Sequence, residues 1–178
     1  MPRYIFSSTG LVYSSGNHSR PNREDDVLRP ATPYPQTKAA AEEALLRLHH
    51  EQGLGLRILR LGFVYGERDP HITEFLPFMH NWNPAQRFHM VHHADVSQAL
   101  MLAASTLGVD GRIYNVADDA PISVAELFQF HNCEISSEPQ QQGFNQWEMV
   151  LDTTRIREEL NYRPIFPSFF SAKDAGAL

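Results

Sequence analysis

Residues 31–53 read ATPYPQTKAAAEEALLRLHHEQG, a turn-forming start that runs directly into strong helix formers. Apolar residues recur at Ala41, Ala44, Leu45 and Leu48 with helical period, and Gly53 supplies the stop. The pattern predicts a helix over 37–52 with its boundary near Pro35. Tyr34 then stands four residues before Lys38, and residues four apart share a helix face. A phenol beside an ammonium is either a chemical pair or an ordinary helix start with a solvated lysine.

Upstream, RYIFSST at residues 3–9 is an apolar, aromatic run that ends in three hydroxyl residues, Ser7, Ser8 and Thr9. It reads as a buried strand over 4–8, and a buried parallel strand requires neighbours. Further strands are expected over 56–63, 88–91 and 112–116. Helices are expected over 71–82, 95–106, 123–130 and 153–160, with Asp95 and Ser123 as N-caps and Glu126 completing a capping box. Strand and helix alternate, which predicts an α/β fold with a mostly parallel sheet. In such sheets ligands bind beyond the carboxyl ends of the strands, where the three hydroxyls fall. Residues 17–35 read as an exposed loop, and 132–148 as a polar, lid-like segment.

Composition narrows the function classes. The chain has 178 residues, 42% hydrophobic and 20% charged, with a net charge of −6. No run of Lys or Arg suggests a nucleic-acid surface, and no apolar stretch approaches the roughly 20 residues of a membrane span. No signal peptide is evident at the start, and one cysteine, Cys133, fits a reducing compartment, so a cytoplasmic location is expected. The histidines at 89, 92 and 93 lack a completing cysteine or carboxylate, and no metal site is expected. His92 is expected to steady the turn before the 95–106 helix. Arg60 is left between the Tyr34 helix and a phosphate.

Several elements in order resemble the extended short-chain dehydrogenase/reductases, specifically the NAD-dependent epimerase/dehydratase family. FSSTGLVY resembles the strand with the catalytic Ser or Thr, and PYPQTKAAAE the Tyr-Lys helix. LRLGFVYGERD, MVHHADVSQAL, IYNVADDAPISVAEL and DTTRIREELNYRPIFPS resemble the segments that follow. The resemblance implies a partial Rossmann-like, doubly wound sheet. Residues 1–66 would be the second half of the core, and 67–178 a small substrate-binding region interleaved with the last core strands at about 88–118.

It also implies catalytic roles for Tyr34, Lys38 and Thr9, with Ser8 as the alternative to Thr9. A free phenol has a pKa of about 10, and a nearby ammonium favours its ionised form. Ser7, Ser8, Tyr34, Lys38, Leu61, Gly62 and Phe63 would face NAD or NADP, while Thr9, Phe63, Arg87 and His92 would face a small-molecule substrate. Epimerisation, dehydration and carbonyl reduction all begin with the same hydride step. Sugar-nucleotide members usually carry asparagine where Phe63 stands and arginine where Phe88 stands, so a more apolar, non-nucleotide substrate is the alternative. A homodimer through the Tyr-Lys helix is expected. A different class remains open: a non-catalytic interaction module presenting the edge strand and tail aromatics Phe166, Phe169 and Phe170.

The family's strand, glycine-rich turn and helix for the cofactor pyrophosphate have no counterpart in this sequence, as expected of a fragment, a truncated form or one part of a split protein. The chain by itself is therefore expected to bind NAD(P) weakly. Calorimetric titration beside a version extended upstream measures this, and tight binding by the 178 residues contradicts it.

Overall fold

A computed structural model describes residues 3–14, 19–135 and 145–178. Most of the lid-like segment expected over 132–148, and the start of the loop expected over 17–35, lie outside the described residues. Three parallel strands form the main sheet in the order β1, β2, β6: β1 (Arg3–Thr9), β2 (Gly55–Leu61) and β6 (Arg112–Val116). Thr9 is level with Leu61, and Leu61 with Val116, so three strands end together. Among the described residues β1 has a strand on one side only, and Tyr4 on it is exposed. This is the open edge foreseen for an apolar first strand.

The 56–63 strand expected from the sequence breaks at Gly62. Beyond it, β3 (Phe63–Tyr65) leaves the main sheet and pairs in parallel with β5 (Met90–His92). The 88–91 strand also breaks, into β4 (Arg87–Phe88) and β5. His89 is the cause. Its backbone N–H donates to Met149 O, and its Nδ1 accepts from Leu151 N at 2.8 Å, tying the break to the 149–151 segment. Burial lowers the His89 pKa to about 3, which keeps the ring neutral and its nitrogen free to accept. β4 pairs antiparallel with β7 (Ile122–Ser123).

Helices α1 (Pro33–Gln52), α2 (His71–Met79), α3 (His93–Ser105), α4 (Val124–Phe130), α5 (Thr154–Leu160) and α6 (Phe169–Asp174) complete the described elements. Gly53 ends α1 in the left-handed region at φ 70°, and Ser123 with Glu126 forms the expected capping box on α4. The expected cap of α3 differs. His92 is the N-cap, accepting from Ala94 N, whereas Asp95 sits in the first turn and accepts from the backbone N–H groups of Ile165 and Phe166. A carboxylate one turn inside a helix reaches outward, and here it fastens the C-terminal segment.

That segment also corrects the expected tail aromatics. Phe169 is buried in the cluster formed by Tyr65, Met90, Leu127 and Phe128, and Phe166 packs against it; of the three only Phe170 is exposed. The expected contact surface is thus reduced to Phe170 and part of Phe166, because the first turn of α6 directs Phe169 inward. A second cluster lies on the main sheet, where Leu59, Tyr114 and Val116 meet Ala99 of α3 and Ile156 and Leu160 of α5. No helix among the described residues is long and apolar enough to cross a membrane.

Under the C-terminal segment lies Asp118, just past β6. Neither of its carboxylate oxygens has a hydrogen-bond partner, although the side chain is buried. The Ala120 N–H exerts a pull without reaching hydrogen-bond geometry, and Asp119 and Asp95 add like charge. Burial, the largest influence, raises the Asp118 pKa from 3.8 to about 8. A raised acid pKa stabilises the fold fully below the unfolded value and loses that contribution as pH rises through the folded value. Asp118→Asn should thus raise the melting temperature relative to the parent most at pH 8 and above, with the gain shrinking towards pH 4, followed by thermal unfolding across that range.

Candidate active site

α1 packs against β1 and β2, and its first turns lie beside the carboxyl end of β1. Pro33 at the first helical position suits a helix N-terminus, and Tyr34 and Lys38 occupy the first turns. Lys38 Nζ donates to the carbonyl of Ser7 at 2.9 Å. The ammonium lies 5.0 Å from the Phe6 ring centroid and 5.9 Å from that of Tyr34. Tyr34 itself is 55% exposed, so its ring is open to an arriving molecule.

Alternation along β1 separates the three hydroxyls. Ser8 points away from Ser7 and Thr9 and donates to Glu42 Oε1 in the interior. Thr9 Oγ1 accepts from Leu11 N at 3.2 Å as the cap of the short 3₁₀ turn Gly10–Tyr13. Thr9 is buried, and among the described residues its hydroxyl hydrogen has no acceptor. Ser7 is exposed. Tyr34, Lys38 and Ser7 thus meet at one place, with Thr9 on the same strand tip and Ser8 engaged elsewhere.

The other sequence-derived positions lie at the end of β2 and on β3, β4 and β5. Leu61 is half-buried and packs on the main-sheet cluster. Phe63 stacks on His71 with centroids 4.3 Å apart and meets Phe75 and Phe88 at wider angles. Arg87 donates from Nε and Nη2 to Pro121 O. His92 uses both ring nitrogens within the chain: Nδ1 accepts from Ala94 N, and Nε2 donates to Ala177 O at 2.9 Å. Its side chain is buried, so protein atoms rather than solvent surround it. Among the described residues no group of three His, Cys, Asp or Glu side chains is placed to hold a metal ion.

Sequence reasoning overlooked Glu42, and left Arg60 open. Arg60 reaches the Tyr34 helix: its guanidinium binds both Glu42 oxygens, the shortest contact being 2.6 Å, with both side chains buried. Arg60 Nη1 also donates to Tyr13 OH at 2.8 Å, and that hydroxyl donates to Asn115 Oδ1 at 2.8 Å. Burial pushes the Tyr13 phenol up to about 12 despite the cation beside it. Burial would lower the Arg60 pKa, but hydrogen bonding and charge from Glu42 and Tyr13 carry it above its ordinary value. The signal was present: a charged residue inside the buried run RILRL needs a buried partner.

An exposed tyrosine and a lysine pinned to a strand tip, on the helix that flanks the carboxyl ends of a parallel sheet, define a Rossmann-like α/β protein with a Tyr-Lys site. The chain belongs to the NAD dependent epimerase/dehydratase family, whose profile matches residues 1–117. It is 27% identical over 179 aligned positions to a dTDP-glucose 4,6-dehydratase of Streptomyces griseus, covering 90% of this chain and 53% of that protein. It is 31% identical over 134 positions to a 4-hydroxy-2-methyl-3-oxo-4-farnesyl-3,4-dihydroquinoline-1-oxide ketoreductase of Stigmatella aurantiaca, covering 68% and 39% of the two chains. The structure of DesIV, a dTDP-glucose 4,6-dehydratase from Streptomyces venezuelae solved with NAD and TYD bound, superposes with a TM-score of 0.75 at 25% identity, over 97% of this chain and 58% of that one. The chain spans about half the length of the first of these relatives and less of the second.

Gly62, placed by sequence on the cofactor side, carries a packing constraint of its own. A Cβ there would lie 2.8 Å from the carbonyl oxygen of His89. Gly62→Ala should destabilise the fold by about 1–3 kcal/mol, the usual range for overpacking against backbone, measured by denaturant unfolding.

Proposed function

We propose that the chain is the catalytic and substrate-binding portion of an NAD(P)-dependent epimerase/dehydratase-type enzyme acting at a secondary alcohol or carbonyl carbon. Residues 1–66 are read as the second half of its core, and 67–178 as the substrate-binding region interleaved with the last core strands at about 88–118. The observation that carries the proposal is Lys38, held on Ser7 O beside the ring of an exposed Tyr34.

In this reading Tyr34 holds or takes the proton at the substrate oxygen. Lys38 puts positive charge where negative charge grows as that proton leaves. Thr9, whose hydroxyl hydrogen has no acceptor among the described residues, donates to the same oxygen. NAD or NADP, when bound, supplies the hydride acceptor or donor. Exposed Ser7, Tyr34 and Lys38 fit the nicotinamide-ribose end of such a cofactor. This chain's own sequence offers no glycine-rich turn for the pyrophosphate, and it spans about half the length of the dTDP-glucose 4,6-dehydratases it is similar to.

The substrate class has two readings. The dTDP-glucose dehydratases among the relatives support a sugar nucleotide. A carbonyl reductase acting on a less polar molecule is favoured by the Phe63–His71 stack with Phe75 and Phe88 beside it, and by the likeness to the ketoreductase. A second copy packed on α1 is the proposed partner, since Ala44 and Leu48 of its apolar stripe are exposed.

Turnover of NAD(P)(H) by the complete polypeptide, with dTDP-glucose and with an apolar aryl ketone, separates the two substrate readings. Tyr34→Phe should lower kcat by about 10²–10⁴-fold on whichever is used, the usual worth of a positioned acid/base. Undiminished kcat removes Tyr34 from the reaction.

A further inference from the structure

Tyr34 and Lys38 belong to a longer row. Glu42 follows four residues later, and the three side chains descend one face of α1. Along the twenty residues of α1, only Pro35 and Glu42 are buried. The apolar stripe read from the sequence is half-exposed or exposed instead. A partly covered apolar face can slide and rotate on its support, because hydrophobic contact is non-directional. A carboxylate held by a guanidinium and a hydroxyl cannot, because its geometry is fixed.

The grip is spread over the sheet. Glu42 accepts from Ser8 on β1 and from Arg60 Nε and Nη2 on β2, at 3.1 Å and 2.6 Å for the two closest guanidinium contacts to separate oxygens. Arg60 is itself held by Tyr13 OH and by Glu24 O at 3.0 Å. One turn up the helix, Lys38 binds Ser7 O. Successive turns of α1 therefore hold successive residues of β1, the two that precede Thr9.

We propose that Glu42 is the positioning residue of the Tyr34–Lys38 pair: fixed by Arg60 and Ser8, it sets the height and rotation of α1 against the tip of β1. The importance of this seating for catalysis rests on the proposed function, but the seating itself does not. Replacing Glu42 leaves Arg60 without its charged partner and frees the helix to turn, and Lys38 then leaves Ser7 O and the Phe6 ring.

The chain has its own probe, since Lys38 and Lys173 are its two lysines. With ¹³C-labelled lysine, each gives one set of side-chain ε cross-peaks; Lys173→Arg assigns them, since the Phe6 and Tyr34 rings displace the Lys38 set and the Phe130 ring, 5.1 Å from Lys173 Nζ, displaces the other. In Glu42→Gln the Lys38 cross-peak should lose that ring-current displacement while Lys173 keeps its position. General destabilisation would leave Lys38 of the folded molecules where it is in the parent. A Lys38 signal unmoved in folded Glu42→Gln overturns the proposal. If that variant does not fold, Ser8→Ala, which removes one leg and keeps Arg60, decides on the same criterion. The Tyr34→Phe assay reads turnover and this one reads seating alone, so failure of either is told from failure of the other.

Discussion

The ion pair of Glu42 with Arg60 joins the twenty-residue helix α1 to the middle strand of the main sheet. Both partners are buried, and each guanidinium contact ends on an acceptor within the chain. Such a pair need not add more stability than apolar residues of the same volume would. Removing one member, however, leaves a buried charge without compensation and costs about 3–5 kcal/mol. Its directional contacts distinguish it from the surrounding packing. They give α1 one place to sit, and Tyr34 and Lys38 take their positions from it.

The network extends the same discipline to the connecting chain. Tyr13 hands the interaction on to Asn115, whose amide donates to Asn22 O and Asp152 O, while Asn115 N donates to Glu24. The loop between β1 and α1 is thereby stitched to the end of β6 and to the strand-like contact of Asn22 with Leu151. Burial raises the Glu24 pKa even though Asn115 and Arg155 oppose the shift, a measure of how deeply the loop is drawn in. A loop that looks polar and free in sequence is in part a structural member, since its carboxylate and amides finish hydrogen bonds that the sheet would otherwise leave open.

Beyond the end of β6 a second set of polar contacts holds the C-terminal segment. Asp95 receives two backbone N–H groups, Asp119 pairs with Arg157, and His92 donates to Ala177. These close the segment over Asp118 and Tyr65, whose carboxylate and hydroxyl oxygens have no hydrogen-bond partner among the described residues. Burial raises the Tyr65 phenol's pKa, with Asp118 and Asp95 adding to it. The residues thought from sequence to face a substrate at His92 and Arg87 are thus also fastenings of β5 and β4. Phe63 differs: half-buried and stacked on exposed His71, it keeps an accessible aromatic surface.

Local chemistry was legible in the sequence wherever a short-range rule governs it. Helix ends at Gly53 and Ser123, the parallel α/β class, and the Tyr34–Lys38 spacing all follow from contacts within a few residues. Strand breaks at Gly62 and His89 were not legible, because each depends on a partner far along the chain: the His89 carbonyl against Gly62, and the 149–151 segment against His89. Nor could the apolar stripe of α1 show which face it buries. Hydrophobic period locates a helix, but which side meets the sheet was decided by the pairing of Glu42 with Arg60, eighteen residues apart in sequence and 2.6 Å apart in space.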